Sequence, residues 1–450
     1  MGTVHVDVTV VGSVLRRFTS PLGVFTPLVF VRFNGYRNPG ENKLNMRTQT
    51  FQRFLPLLAA VLLIATLVGC DAKIDRFEPN EVFALSLARS RDIETVPAMN
   101  DTTTVIAHLF GTPNEPKWPA DWIGDATLSG IIDADELARA AGPVASDRQG
   151  VNIGLYRKHC VDCHGLPGNG TGGASMIQNP YPRNFRHGVF KWKSTARTAK
   201  PTRDDLITLL HQGIPGTAMP SFSLLDASDA ATLIDYVIYL SVRGEVERRM
   251  MAAAVDELGY EATPPEEAWR LNSDERNESI SAVLVKRILR DVISTWRDAD
   301  TEVVNVGPEP TASDDERKAS IKRGQDIFHG QIANCIGCHG PGGNGQAVTV
   351  DYDDWAKEYS TNLGITPTDR DAMRPFRDAG ALSPRQIKPR NLQDGVFRGG
   401  GDPETIYRRI VTGIAGTPMP SVEVVSEENG KGLTSDQVWD LVRYVKSLSE

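Results

Sequence analysis

The sequence predicts a mainly α chain in which two tandem helical domains are joined by a helical connector. Internal repetition is the first reason. Pro182-Arg183-Asn184-Phe185 with Gly188-Val189-Phe190-Lys191 matches Pro389-Arg390-Asn391-Leu392 with Gly395-Val396-Phe397-Arg398. Leu233-Ile234-Asp235-Tyr236-Val237 likewise matches Leu441-Val442-Arg443-Tyr444-Val445, a closing helix in each copy. The second reason lies between the copies. There Val285, Ile288, Leu289, Val292 and Trp296 recur at i, i+3, i+4, i+7 and i+11, an apolar stripe on one helical face. The stripe reads as core between the two domains, with a docking face for a partner subunit as the alternative.

From the amino end, residues 1–69 read as a leader. The apolar run Phe54 to Gly69 is too short to span a bilayer, which needs about 20 residues, and Arg47 and Arg53 precede it. Leu67-Val68-Gly69-Cys70 resembles the lipobox of bacterial lipoproteins, which implies cleavage before Cys70 and its lipidation. Residues 46–69 are then a lipoprotein signal peptide starting at Met46, and 1–45 read as an over-extended gene start. Residues 70–145, with Trp118, Trp122 and several prolines, read as an irregular N-terminal arm. The first repeat occupies 146–242 and the second 315–450. Between them, 243–314 forms the helical connector and a linker marked by Pro308 and Pro310. Numbering offsets between the repeats change from 175 at Cys160/Cys335 to 207 at Pro182/Pro389, which locates a charged insertion at 346–385 that reads as surface elaboration.

Cys160-Val161-Asp162-Cys163-His164 and Cys335-Ile336-Gly337-Cys338-His339 are two C-x-x-C-H motifs. In such a motif two thiols add to the haem vinyl groups, and the adjoining histidine coordinates the iron from one face. Two haem c groups with their iron are therefore expected. A zinc or dithiol site would not require a histidine directly after both pairs. Downstream stand Gly216-Thr217-Ala218-Met219-Pro220-Ser221 and Gly416-Thr417-Pro418-Met419-Pro420-Ser421. Each follows a helical pattern, Leu206 to His211 and Ile406 to Val411, that ends at a glycine, and proline after the methionine prevents the helix restarting. Met219 and Met419 are thus the expected second ligands beside His164 and His339. Met176, His187 and His211 are the rivals in the first domain, and Met373 in the second.

On these motifs each copy resembles a class I cytochrome c domain, and the whole resembles a dihaem cytochrome c of bacterial respiratory chains. The resemblance covers about 145–242 and 315–450. It implies an aromatic residue ahead of each haem motif. Tyr156 stands four residues before Cys160, whereas Phe328 stands seven before Cys335, a departure in register. It also implies a proline carbonyl, at Pro182 and Pro389, that accepts the proton of the ligand histidine's Nδ1.

Methionine in both loops favours electron transfer over enzymology, because His/Met ligation leaves no open iron. A dihaem peroxidase or a haem-based gas sensor is the alternative. Haem attachment uses four of the five cysteines and Cys70 is the fifth. From Cys70 onward the chain carries a formal charge of −13, which excludes a nucleic-acid binder and favours basic redox partners or respiratory-complex subunits. The expected location is the periplasmic side of the cell membrane, held by the lipid on Cys70.

Overall fold

The computed structural model describes residues 76–142, 154–261, 265–266, 270–271, 279–346, 351–427 and 431–450. The leader and Cys70 lie outside the described residues. The arm at 70–145, expected to be irregular, is instead largely helical where described. Helix α1 (Glu81–Arg91) starts at Asn80, whose side chain accepts from the Phe83 amide. Helix α2 (Val96–Phe110) carries Pro97 in its first turn and buries Ala98, Thr102, Val105, Ile106, Leu109 and Phe110, a face at helical spacing. Trp118 and Trp122 extend this cover: the Trp118 indole donates to the Ser129 carbonyl at 2.9 Å, and Trp122 is buried.

The first domain is arranged around one long helix. After the short helix α3 (Leu155–His159) and helix α4 (Arg203–Gln212, opened by a Thr202/Asp205 capping box) comes α5 (Ala227–Leu258). Helix α5 runs 32 residues without a break, from its Asp226 cap to left-handed Gly259. It therefore crosses the expected boundary at 242, so the closing helix and the start of the connector are one element. Tyr236, Tyr239, Leu240, Val242, Val246 and Met250 lie on several sides of this helix and are all fully buried. Its buried charges are paired, Asp235 with Arg203, Glu245 with Lys200 and Glu247 with Arg243, as charges removed from water must be. Gly244 lets it approach the 185–187 turn, since a Cβ there would meet the Arg186 Cα at 2.5 Å.

Helix α6 (Ile280–Arg297) buries the whole stripe Val285, Ile288, Leu289, Val292 and Trp296. The stripe joins the core shared by α2, α5 and the first domain, with Trp296 edge-on to Phe190 at 5.6 Å. It is not core between the two domains, as had been expected, because the helical arm supplies the missing partner surface. The linker then pairs back onto the first domain through the Val304 amide and Ser194 carbonyl at 2.9 Å.

The second domain is held by the crossing of α7 (Asp314–His329) with the closing helix α9 (Ser435–Ser447), and α8 (Pro403–Thr412) packs beside α9. At the crossing Asp440 accepts from Ser320 at 2.5 Å and from Arg323 at 2.7 Å, while Arg443 donates to Ser320 at 2.9 Å. Gly324 sits at the point of closest approach, where a Cβ would lie 2.0 Å from the Asp440 carbonyl oxygen.

The insertion at 346–385 is more than surface elaboration. Its neck is a two-residue antiparallel ribbon, β1 (Asp351–Tyr352) with β2 (Gln386–Ile387). Ala356, Tyr359, Ile365, Met373 and Phe376 form a core of their own, which packs on Val82 and Leu85 of α1. The charged composition concealed this apolar content. Gly324→Ala should weaken the second domain by about 1–3 kcal/mol through overpacking, read as a lower denaturant midpoint by circular dichroism. An unchanged midpoint would mean that the helices can separate freely at this crossing.

Candidate haem sites

Each C-x-x-C-H motif forms a single helical turn, Val161–His164 and Ile336–His339. The His164 amide bonds to the Cys160 carbonyl and the His339 amide to the Cys335 carbonyl, both at 2.8 Å. Residues i, i+3 and i+4 share a helix face, so both thiols and the imidazole are presented together. Glycines then fold the chain back on itself: the Gly170 amide bonds to the His164 carbonyl at 2.8 Å, and Gly345 does the same for His339 at 2.9 Å.

The carbonyl facing each ligand ring belongs to an arginine and not to the expected proline. His164 Nδ1 lies 3.0 Å from the Arg183 carbonyl oxygen, and His339 Nδ1 lies 3.3 Å from that of Arg390. The Pro182 and Pro389 carbonyls point instead at Gly170 and Gly345, where a Cβ would sit 2.8 and 2.6 Å away, so the register is one residue later. The following turn fixes it, with the Phe185 amide bonded to Gly168 and the Leu392 amide to Gly343, both at 2.7 Å. A carbonyl can only accept, so Nδ1 carries the proton and Nε2 keeps its lone pair. Burial also pushes the His164 imidazole down to about 4 and lowers that of His339, which keeps both rings neutral as a metal requires. Phe185 stacks on His164 at 4.6 Å.

The shift in the aromatic register is explained by local backbone. Tyr156 meets Tyr236 at 5.0 Å, and Phe328 meets Tyr444 at 5.3 Å, so the two aromatic residues do equivalent packing. In the second domain a turn through left-handed Asn334 takes up the additional residues.

The two methionine loops share one hydrogen-bond pattern. Ile214 donates to the Met219 carbonyl at 3.1 Å and Ile414 to the Met419 carbonyl at 3.2 Å. The Thr217 hydroxyl donates to Ile214 at 2.8 Å and accepts from the Met219 amide at 3.1 Å; Thr417 repeats this at 2.9 and 3.2 Å. These threonines, quoted in the motifs without a role, set the shape of the loops.

His164, Cys160, Cys163 and Met219 line one cleft of about 1450 Å³, open mouth included, walled by Leu206, Leu210, Phe222, Leu233 and Ile234. Among the described residues Met176, His187 and His211 do not line it. Met176 is exposed, and His187 faces Glu358 at 3.9 Å on the side of the insertion. Met373 is buried in the core of the insertion. In the second domain Cys335, Phe397, Val411 and Val422 pack against a common core, and Met419 is half-buried. Burial pushes the Cys160 thiol up to about 12 and that of Cys335 up to about 11, so these walls disfavour a thiolate and suit a neutral thioether. Neutral imidazole, paired sulfurs and apolar walls together fit a covalently bound haem.

The family model described as cytochrome c oxidase, cbb3-type, subunit III matches residues 153–237, and the model described as cytochrome c matches 321–449. The cytochrome c55X of Stutzerimonas stutzeri is 36% identical over 103 residues, which span 23% of this chain and 75% of that protein. This chain belongs to the cytochrome c family. It is a dihaem cytochrome c that carries two covalently bound haem c groups and transfers electrons through them. A solved chain from the Kuenenia stuttgartiensis reducing HAO-like protein complex is also similar, at 22% identity and a TM-score of 0.40, covering 69% of this chain and 99% of its own, a likeness too distant to bear on function.

After acid-acetone extraction the denatured cytochrome should keep two haems per chain, counted as pyridine haemochrome. The double change Cys335→Ala and Cys338→Ala should leave one.

Proposed function

We propose that this cytochrome is a membrane-tethered two-haem relay, or the cytochrome subunit of a larger oxidoreductase, in a bacterial respiratory chain. His164 and Met219 would hold the first haem's iron, and His339 and Met419 that of the second. The observation that carries the reading is the matched pair of loops, each presenting a methionine through the same threonine-centred pattern. When bound, the haems supply irons that cycle between Fe(III) and Fe(II). The chain's own residues supply the rest. The Arg183 and Arg390 carbonyls orient the ligand rings, Thr217 and Thr417 hold the thioethers on their loops, and apolar walls exclude water. With a histidine and a methionine of the chain holding each iron, neither would be open to a substrate, so the chain would act as a carrier and not itself as an enzyme.

Membership in a complex draws support from the first domain's match to an oxidase subunit III model. The two ligand loops are also tied across the domains, since Arg197 of the first donates to the Met419 and Thr417 carbonyls at 2.6 and 2.9 Å, and Arg398 of the second donates to the Gly216 carbonyl at 3.3 Å. A relay needs its two stations held in fixed relation, and these ties supply that. Redox proteins or subunits of the complex are the partners. Among the described residues no helix is long and apolar enough to cross a membrane. Anchoring on the periplasmic side by a lipid on Cys70 is supported by the short apolar run and lipobox-like residues before it.

Met219→Ala should remove half of the near-infrared thioether-to-iron band of the oxidised protein and lower one midpoint potential; Met419→Ala should remove the other half. An untouched band in either variant, with peroxide turnover by the unaltered protein, would make the peroxidase reading the better one. Cys70→Ser should shift the cytochrome from the membrane to the soluble fraction with its visible spectrum intact. If it stays in the membrane fraction, the lipid tether is wrong.

A further inference from the structure

The cleft of the first haem is not built by the first domain alone. Asp353 and Trp355 of the insertion and Arg398 of the second repeat also line it. Lys191 Nζ bonds to the Asp353 carboxylate at 2.8 Å, and the Arg183 guanidinium lies over the Trp355 ring at 4.1 Å. Arg398 donates one Nη to the Gly216 carbonyl, while its buried Nε has no partner among the described residues. Three fixed cations, Arg183, Lys191 and Arg398, thus face the cleft against a single carboxylate, Asp353, an excess of two positive charges among the described residues that line it.

Such an excess is costly at a half-buried, largely apolar surface unless an anion meets it. Burial and mutual repulsion push Lys191 down to about 8, burial pushes Arg183 down to about 10, and Arg398 is lowered as well. Haem c carries two carboxylates, the matching charge. We propose that the carboxylates of the first haem are neutralised across the domain boundary, with Arg398 of the second domain acting beside Arg183 and Lys191 of the first. Asp353 is the counterweight that keeps the surplus at two. The second domain thereby sets the potential of a haem it does not attach.

The sign follows from Coulomb's law. Reduction adds an electron at the iron, so a nearby fixed cation favours Fe(II) and a nearby carboxylate opposes it, with little screening by salt at a buried site. The test follows each haem separately in a Cys160→Ala background. There the first haem keeps one vinyl group and its α band moves to longer wavelength, while Cys163 keeps it covalently attached. Absence of the shifted band would contradict haem attachment itself and not the proposal.

Potentiometric titration at the shifted band should show Arg398→Gln favouring Fe(III) by about tenfold, 59 mV for one electron. Asp353→Asn should move the same potential upward by a similar amount, and Arg398→Lys, which keeps the charge, should restore most of the loss. A loosened interface would push both neutral variants the same way, so opposite signs separate charge from packing. The proposal is overturned if Arg398→Gln leaves the first haem's potential unchanged while Lys191→Gln lowers it, or if Arg398→Gln and Asp353→Asn shift it in one direction.

Discussion

A peptide carbonyl has no proton to give, and much of this cytochrome follows from placing one beside each ligand histidine. The Arg183 and Arg390 oxygens fix which ring nitrogen is protonated and therefore which is free for iron. To aim them, the chain must turn sharply after Pro182 and Pro389, and close-packed Gly170 and Gly345 leave room for the proline carbonyls. The amides of Phe185 and Leu392 secure that turn to the loop after the haem motif. The same strand of logic reaches the core, because Phe185 lies over His164 and stacks on Phe190 at 6.1 Å, and Phe190 meets Trp296 of helix α6. Ligand geometry and hydrophobic packing are one structure here.

The repeats are related in sequence but are not independent in space. Arg197 and Arg398 each grip the other domain's ligand loop. Trp355 touches both sites: its ring lies under Arg183 in the first cleft, and a Cβ on Gly416 of the second methionine loop would come within 2.4 Å of it. Substitution at this ring would therefore be felt on two sides at once.

Covalent attachment was legible because C-x-x-C-H is a local motif whose chemistry fits within one helical turn. The methionine loops were legible for a similar reason, glycine and proline punctuating a short helix. The His-bonding carbonyl was misplaced by one residue, since a proline marks a turn but not which oxygen ends up facing the ring. Helix α2 was hidden because three consecutive threonines of modest helix propensity, with Thr102 on the buried face, and the prolines at 97 and 113 resemble turn composition. The insertion was misread through its charge. Its Tyr359, Met373 and Phe376 are spaced too irregularly for any periodicity to reveal the core they share. Contacts such as Asp353 with Lys191 join residues 162 positions apart, and no local pattern encodes them.

Helix α5 gives the two copies unequal standing. In the second domain the closing helix runs only 13 residues and stops at Ser447. In the first, the corresponding helix continues for about five more turns, clasped by the amino-terminal helices and by α6. Exchange of the second haem module would have to preserve the ties made by Arg197, Arg398 and Trp355, but would leave that long helix whole. The first has become the keel of the molecule, and recombination cannot lift it out without opening the core around it.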